Sequence, residues 1–221
     1  MLSWPSLIVH LTASVGACCH PFRRERLRQP RKGGKKGRER RRVSLPVLSE
    51  TLWVSECATL ALPRNSAVFI DANIFIYGLS SRSAQCRQLL ERCLREELTG
   101  ITLFETVNEV THRLMIAEAF AKGLITGGGA KGLRRNFSLI PSLTDYWRNT
   151  ERLLALNMLF MPVNEAILRG AQVERQAAAL LTNDSMIVSC MREYGLSFLA
   201  SSDADFERVA GLTVFKPSDL P

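Results

Sequence analysis

From Ser66 onward, short apolar runs alternate with longer segments whose apolar residues recur at helical spacing. That alternation restricts the fold more than any other property of the chain. Ala67–Ile70 is too short for a helix and reads as a buried strand. Ser83–Leu98 reads as a helix with Cys86, Leu89, Leu90, Cys93 and Leu94 inward. Gly100–Thr102 is a brief strand or turn. Leu103–Ala121 is a long helix, with Leu103, Val107, Val110 and Leu114 at core spacing. Helices follow over Thr144–Leu156, through Leu180 from a cap at Asn164, and to near Gly195 from a cap at Thr182 or Asn183, with strands at Leu159–Val163, Ser197–Ala200 and Thr213–Phe215. Asp71–Ser81 reads as a loop or short turn, and Asp203–Val209 as a turn or short helix. Strands alternating with helices imply an α/β fold on a parallel sheet with right-handed crossovers.

The formal charge of +8 gains meaning once it is located. Arg23–Arg42 holds twelve Lys and Arg against Glu25 and Glu39, an excess of ten, so the remainder sums to about −2. That run has no apolar period, and its self-repulsion predicts disorder. Residues 1–66 are therefore read as an extension, and 67–217 as the folded domain. The extension is either a basic arm for nucleic acid, a solvated tail, or the product of a start codon assigned upstream of the true one. Its apolar stretch from Leu7 to Ala17 is too short to span a membrane, and no Lys or Arg precedes it as in a signal peptide.

The six cysteines show no C-x-x-C spacing. They fit a reduced, cytoplasmic setting better than a disulfide framework or a zinc finger. Gly127-Gly128-Gly129-Ala130-Lys131-Gly132 fails as a phosphate loop, since no strand precedes it and no Ser or Thr follows the Lys. The Gly-rich stretch from Lys122 to Ile140 is a substrate-facing clamp or a plain connection.

Acidic residues stand close to several of the predicted strand and helix ends. Asp71 follows the first strand, with Asn73 two positions on. Glu105 and Glu109 share a helix face, and periodicity does not choose between them. Asp184 opens a helix, where an acid gains from the free amides and the dipole. Asp203 and Asp205 follow the strand at Ser197–Ala200. Each of these has a structural reading as a cap, a turn or a solvated side chain. Carboxylates gathered beyond strand ends repel one another unless a cation neutralises them, and hard oxygen donors suit Mg²⁺ or Mn²⁺.

The motifs carrying these acids resemble a known family. Phe69-Ile70-Asp71-Ala72-Asn73-Ile74-Phe75-Ile76-Tyr77 is similar to the opening motif of PIN-domain nucleases. Asn108–Leu114 resembles the second acidic motif, Leu181–Ile187 the third and Ala200–Phe206 the fourth, in the same order. The subgroup resembled is the VapC-type toxin of bacterial and archaeal type II toxin–antitoxin systems. The resemblance implies a three-layer α/β/α sandwich and an endoribonuclease that uses Mg²⁺ or Mn²⁺. By the same resemblance, Asp71, Glu109, Asp184 and Asp203 form the catalytic and metal-holding quartet. Asn73, Ser201 and Asp205 support them or position substrate, with Asp205 a rival to Asp203 as ligand. The implied partners are RNA and a cognate antitoxin protein; a homodimer is compatible with the family, and no membrane is implied. Two other readings share the acids: a catalytically degenerate PIN-fold RNA-binding or scaffold protein, and a metal-dependent phosphatase or flap nuclease.

Overall fold

The computed structural model describes residues 62–127 and 129–220. The readings placed on residues 1–61, the basic extension and its start codon among them, lie outside the described residues.

Five strands form one parallel sheet: β1 (Ala67–Ile70), β2 (Thr99–Leu103), β3 (Met158–Met161), β4 (Phe198–Ala200) and β5 (Thr213–Phe215). Their spatial order is β3-β2-β1-β4-β5. From β1 the chain builds outward to β2 and β3, then returns to lay β4 and β5 on the opposite side. The order therefore reverses between β1 and β4, where open α/β sheets place their ligands.

The helices are α1 (Ala72–Leu79), α2 (Ala84–Leu94), α3 (Phe104–Ala121), α4 (Gly129–Arg135), α5 (Asp145–Leu154), α6 (Glu165–Ala178) and α7 (Thr182–Glu193). Side chains of a strand alternate between faces, and β1 distributes its core accordingly. Val68 and Ile70 join Ile74, Phe75, Leu89, Val110 and Leu153 in one apolar cluster, which gathers α1, α2, α3 and α5. Phe69 joins Ile167, Ala171, Ile187 and Met191 in another, under α6 and α7. The three-layer α/β/α architecture follows from that division. Cys86 and Cys93 are buried in the first cluster as a core stripe, and Cys190 is buried in the second. Gly100 is needed in β2, because a Cβ there would meet Met158 at 2.9 Å and the Cys93 sulfur at 3.0 Å. Among the described residues no helix is long and apolar enough to cross a membrane.

Three local readings are corrected. Asp71–Ser81 is not a loop: Ala72–Leu79 is helical, because Ile74, Phe75 and Gly78 bury one face and Asp71 caps the start through its side chain. Neither Thr182 nor Asn183 caps α7, which starts at Thr182 with Leu181 at the cap position. The stretch from Lys122 to Ile140 is not a featureless connection either. It holds α4 and the start of a 3₁₀ turn over Phe137–Ser142. Leu133 and Leu143 bury there with Ile125 and Ala119, so the insert packs on the distal half of α3.

Candidate functional site

The pairing of β1 with β4 brings the first acid to its partner. Ile70 stands opposite Ala200, so the next residues, Asp71 and Ser201, leave the sheet side by side. The Asp71 amide continues the ladder to the Ala200 carbonyl at 3.1 Å. Ser201 is fully buried, and its hydroxyl donates to Asp71 Oδ2 at 2.7 Å. Asn73 Nδ2 donates to the same oxygen at 2.5 Å, and the Ala72 amide donates to Oδ1 at 2.6 Å. Three of the roughly four acceptor positions of a carboxylate are then filled, leaving one toward the cleft. Burial pushes the Asp71 carboxyl up to about 6; the Ser201 and Ala72 donors oppose that rise, while Asp184 and Glu109 add to it.

The same network sets the fourth motif. Ser201 Oγ accepts from the Asp203 amide at 3.0 Å, and Asn73 Oδ1 accepts from the Ser202 amide at 3.1 Å. Asp203 in turn caps the short turn Ala204–Arg208, accepting from the Asp205 amide at 2.9 Å. Asp184 stands in the first turn of α7. Its carboxyl is raised, first by burial and then by the charges of Asp203, Asp205 and Glu109, with Arg113 opposing.

Glu109 enters from α3. It pairs with Arg113 at 2.6 Å one turn along the helix and accepts from Asn183 Nδ2 at 2.9 Å. Glu105, its neighbour on the helix, is exposed and does not line the cleft, and neither does the exposed His112. Asp71, Asn73, Glu109, Asp184 and Asp203 line one cleft of about 470 Å³, together with Ala72, Arg113, Leu181, Thr182 and Asn183.

One carboxylate oxygen from each of Asp184, Asp203 and Asp205 lies within 4.8 Å of the others. Opposite ligands of an octahedral Mg²⁺ stand about 4.2 Å apart, twice its bond length. The spacing and the hard-oxygen donors thus fit a divalent cation. Asp71 and Glu109 face the same cleft but are not among these three. Asp205 is also engaged at its outer side, where Arg208 approaches Oδ1 at 3.1 Å.

Residues 68–212 match the model of the PIN domain. The chain belongs to the PIN domain family. Over 157 residues this PIN protein is 24% identical to Ribonuclease VapC6 of Methanocaldococcus jannaschii, spanning 68% of this chain and 97% of that one. Similar solved structures include VapC20 of Mycobacterium tuberculosis, described as a Sarcin-Ricin loop cleaving toxin, with a TM-score of 0.44 at 11% identity over 66% of this chain and 96% of that one. VapBC2 of Rickettsia felis, bound to a promoter DNA fragment, gives 0.45 at 11% identity over 68% and 98%. A toxin–antitoxin complex from Klebsiella pneumoniae gives 0.44 at 18% over 66% and 95%.

Two cleft residues escaped the sequence reading. Arg113 had a visible signal, since it follows Glu109 by four positions on one helix. Asn183 had none beyond its adjacency to Asp184.

Proposed function

We propose that this PIN protein is a divalent-metal-dependent endoribonuclease, the toxin of a VapC-type toxin–antitoxin pair. The observation that carries the proposal is the meeting of three carboxylates, Asp184, Asp203 and Asp205, within 4.8 Å of one another, where Asp184 and Asp203 line a cleft that Asp71 and Glu109 also line. The similarity to a VapC ribonuclease supports the choice of RNA as substrate.

In this reading Asp184, Asp203 and Asp205 would hold Mg²⁺ or Mn²⁺, with the Asp71 carboxylate facing the same cleft. When bound, the cation offsets the charge of the scissile phosphate and makes water a better nucleophile. The other roles belong to the chain itself. Ser201 and Asn73 fix the Asp71 carboxylate and, through the Asp203 and Ser202 amides, the loop that carries Asp203. Glu109 is held by Asn183 and Arg113 and orients the attacking water. Arg113 lines the cleft with a guanidinium suited to a phosphate oxygen. A single-stranded loop of RNA suits such a cleft, because its backbone and bases are accessible.

The test is cleavage of a mixed RNA pool by the full chain with Mg²⁺ or Mn²⁺, against chelator and against Asp71→Asn. Cleavage that survives chelation or survives Asp71→Asn overturns the mechanism. The toxin half is tested separately, by co-expression with small open reading frames beside this gene. Growth rescue by one of them identifies the antitoxin, and failure of all of them removes the toxin reading while leaving the nuclease.

A further inference from the structure

We propose that α4 carries a docking ridge for single-stranded RNA, made of Lys131, Arg134 and Arg135 with Phe137 beside them. The ridge rests on the ribonuclease reading for its choice of polyanion, and it adds a binding surface outside the carboxylate cleft.

Lys131, Arg134 and Arg135 stand at i, i+3 and i+4, so their side chains share one helix face. Leu133 is the buried residue of this helix, packed with Ile125, Ala119 and Leu143, and it anchors α4. All three cations are exposed. Among the described residues none of them has an acidic partner. The surrounding cations are different: Lys122 and Arg148 are both engaged by Asp145, and Lys122 also by Glu118. Three unneutralised cations on two turns repel one another, at a cost that a bound polyanion would relieve.

Phe137 chooses among polyanions. It begins the 3₁₀ turn two residues after Arg135 and is 72% exposed. An exposed aromatic ring beside a cationic face is the pairing that holds single-stranded nucleic acid, with bases stacked on the ring and phosphates on the cations. An acidic peptide has no comparable use for the flat ring, and a membrane surface would need a broader apolar face than this single ring offers.

Position connects the ridge to the cleft. The cluster under α4 includes Met115 and Ile116 of α3 at its edge. Arg113, which lines the cleft, lies two residues before Met115, about 3 Å along the helix axis. Residues two apart stand about 200° round a helix, so Met115 and Arg113 point to different sides of α3, and the ridge neighbours the cleft along that helix without lining it.

The experiment measures binding of the full chain to a labelled, unstructured 12-nucleotide RNA in chelator, across a salt series, by fluorescence anisotropy. In the variant Lys131→Ala/Arg134→Ala/Arg135→Ala, three lost phosphate contacts should make the slope of log K against log salt shallower by about 2, at roughly 0.7 per contact on a single strand. Dissociation constants near 0.1 M salt should rise about tenfold or more. The charge-preserving set Lys131→Arg/Arg134→Lys/Arg135→Lys should keep the slope. Phe137→Leu should keep the slope yet weaken binding about fivefold, the loss of one stacked base. Should the triple variant melt early, Arg134→Ala and Arg135→Ala alone should each remove about 0.7 from the slope. An unchanged slope and affinity overturns the ridge. So does equal, ring-independent binding of poly-glutamate, which would assign the ridge to an acidic protein segment. Because binding is read in chelator, loss of the nuclease reading leaves this result standing. Normal cleavage with an indifferent ridge overturns the ridge alone.

Discussion

Ser201 and Asp71 are 130 residues apart in sequence, and the Ser201 hydroxyl donates to Asp71 Oδ2 at 2.7 Å. The contact is a direct product of sheet register, since Ile70 and Ala200 are paired partners at the ends of adjacent central strands. Ser201 uses its oxygen three ways, donating to Asp71 and accepting from Asn73 and from the Asp203 amide. It thereby ties the first acid to the fourth motif.

Ser201→Ala removes a donor from a buried carboxylate and leaves the Asp203 amide without its acceptor. Urea unfolding in chelator at pH 7.5 should show a loss of about 1–3 kcal/mol. RNA cleavage should also slow, because Asp203 loses its placement. Full stability together with full activity would show that this hydroxyl organises nothing.

Asp71→Asn should abolish cleavage while keeping the fold, and pH should expose the reason. The folded carboxyl titrates at about 6 against an ordinary 3.8, because burial disfavours its charge. Its contribution to stability is full below about pH 3.8 and is lost as pH rises through 6, by up to roughly 3 kcal/mol. Metal-free wild type should therefore lose stability over that interval relative to Asp71→Asn. Parallel stability curves for the two proteins between pH 4 and 7 would refute the account.

Asp71, Asp184 and Asp203 were visible in the sequence because each closes or opens an apolar run, whereas Glu109 lies inside a helix and was marked by the motif resemblance alone. Helix α1 was hidden. Ile74, Phe75, Ile76 and Tyr77 are β-branched or aromatic and weak helix formers. They form a helix because Ile74 and Phe75 bury fully against the sheet and Asp71 caps the first turn, both tertiary facts. Periodicity could not choose between Glu105 and Glu109, which share a face of α3; the motif resemblance chose Glu109, and its place along the helix brings it to Asn183. In the insert, three glycines masked a helix whose single buried residue, Leu133, is too sparse a signal for periodicity.

Glu118 titrates in the opposite sense to Asp71. Burial raises its carboxyl, but the Lys122 ammonium and the Tyr146 and Thr144 amides outweigh that and hold it at about 2. The carboxylate receives those amides at 2.7 and 2.9 Å and fastens the start of α5 to α3. Its contribution is present above about pH 4.5 and is lost as pH falls toward 2. Glu118→Gln should lower the melting temperature at pH 7 and flatten that acid limb. An equal melting temperature would mean that the junction does not depend on the charge.

Glu109→Gln should separate holding from charge. Glutamine keeps an oxygen for Asn183 but loses the ion pair that holds Arg113 at 2.6 Å. Single-turnover cleavage should fall by 10²-fold or more if Glu109 orients water as a charged group. The freed Arg113 should meanwhile hold RNA at least as tightly as before in chelator. Weaker binding with an unchanged rate would reverse the two assignments.

Asp203 and Asp205 remain to be ranked, and their outer contacts rank them. Asp203 is placed by the Ser201 hydroxyl through its own amide, and its carboxylate caps the turn that carries Asp205. Asp205 spends one oxygen on Arg208, an exposed cation that partly offsets its charge. Asp203→Asn should therefore cost more in Mn²⁺ affinity, measured by calorimetry, than Asp205→Asn. Arg208→Ala releases the Asp205 carboxylate, so it should leave Mn²⁺ affinity unchanged or improve it. If Asp205→Asn proves the costlier change and Arg208→Ala weakens the metal, then Asp205 is the principal ligand and Arg208 is what orients it.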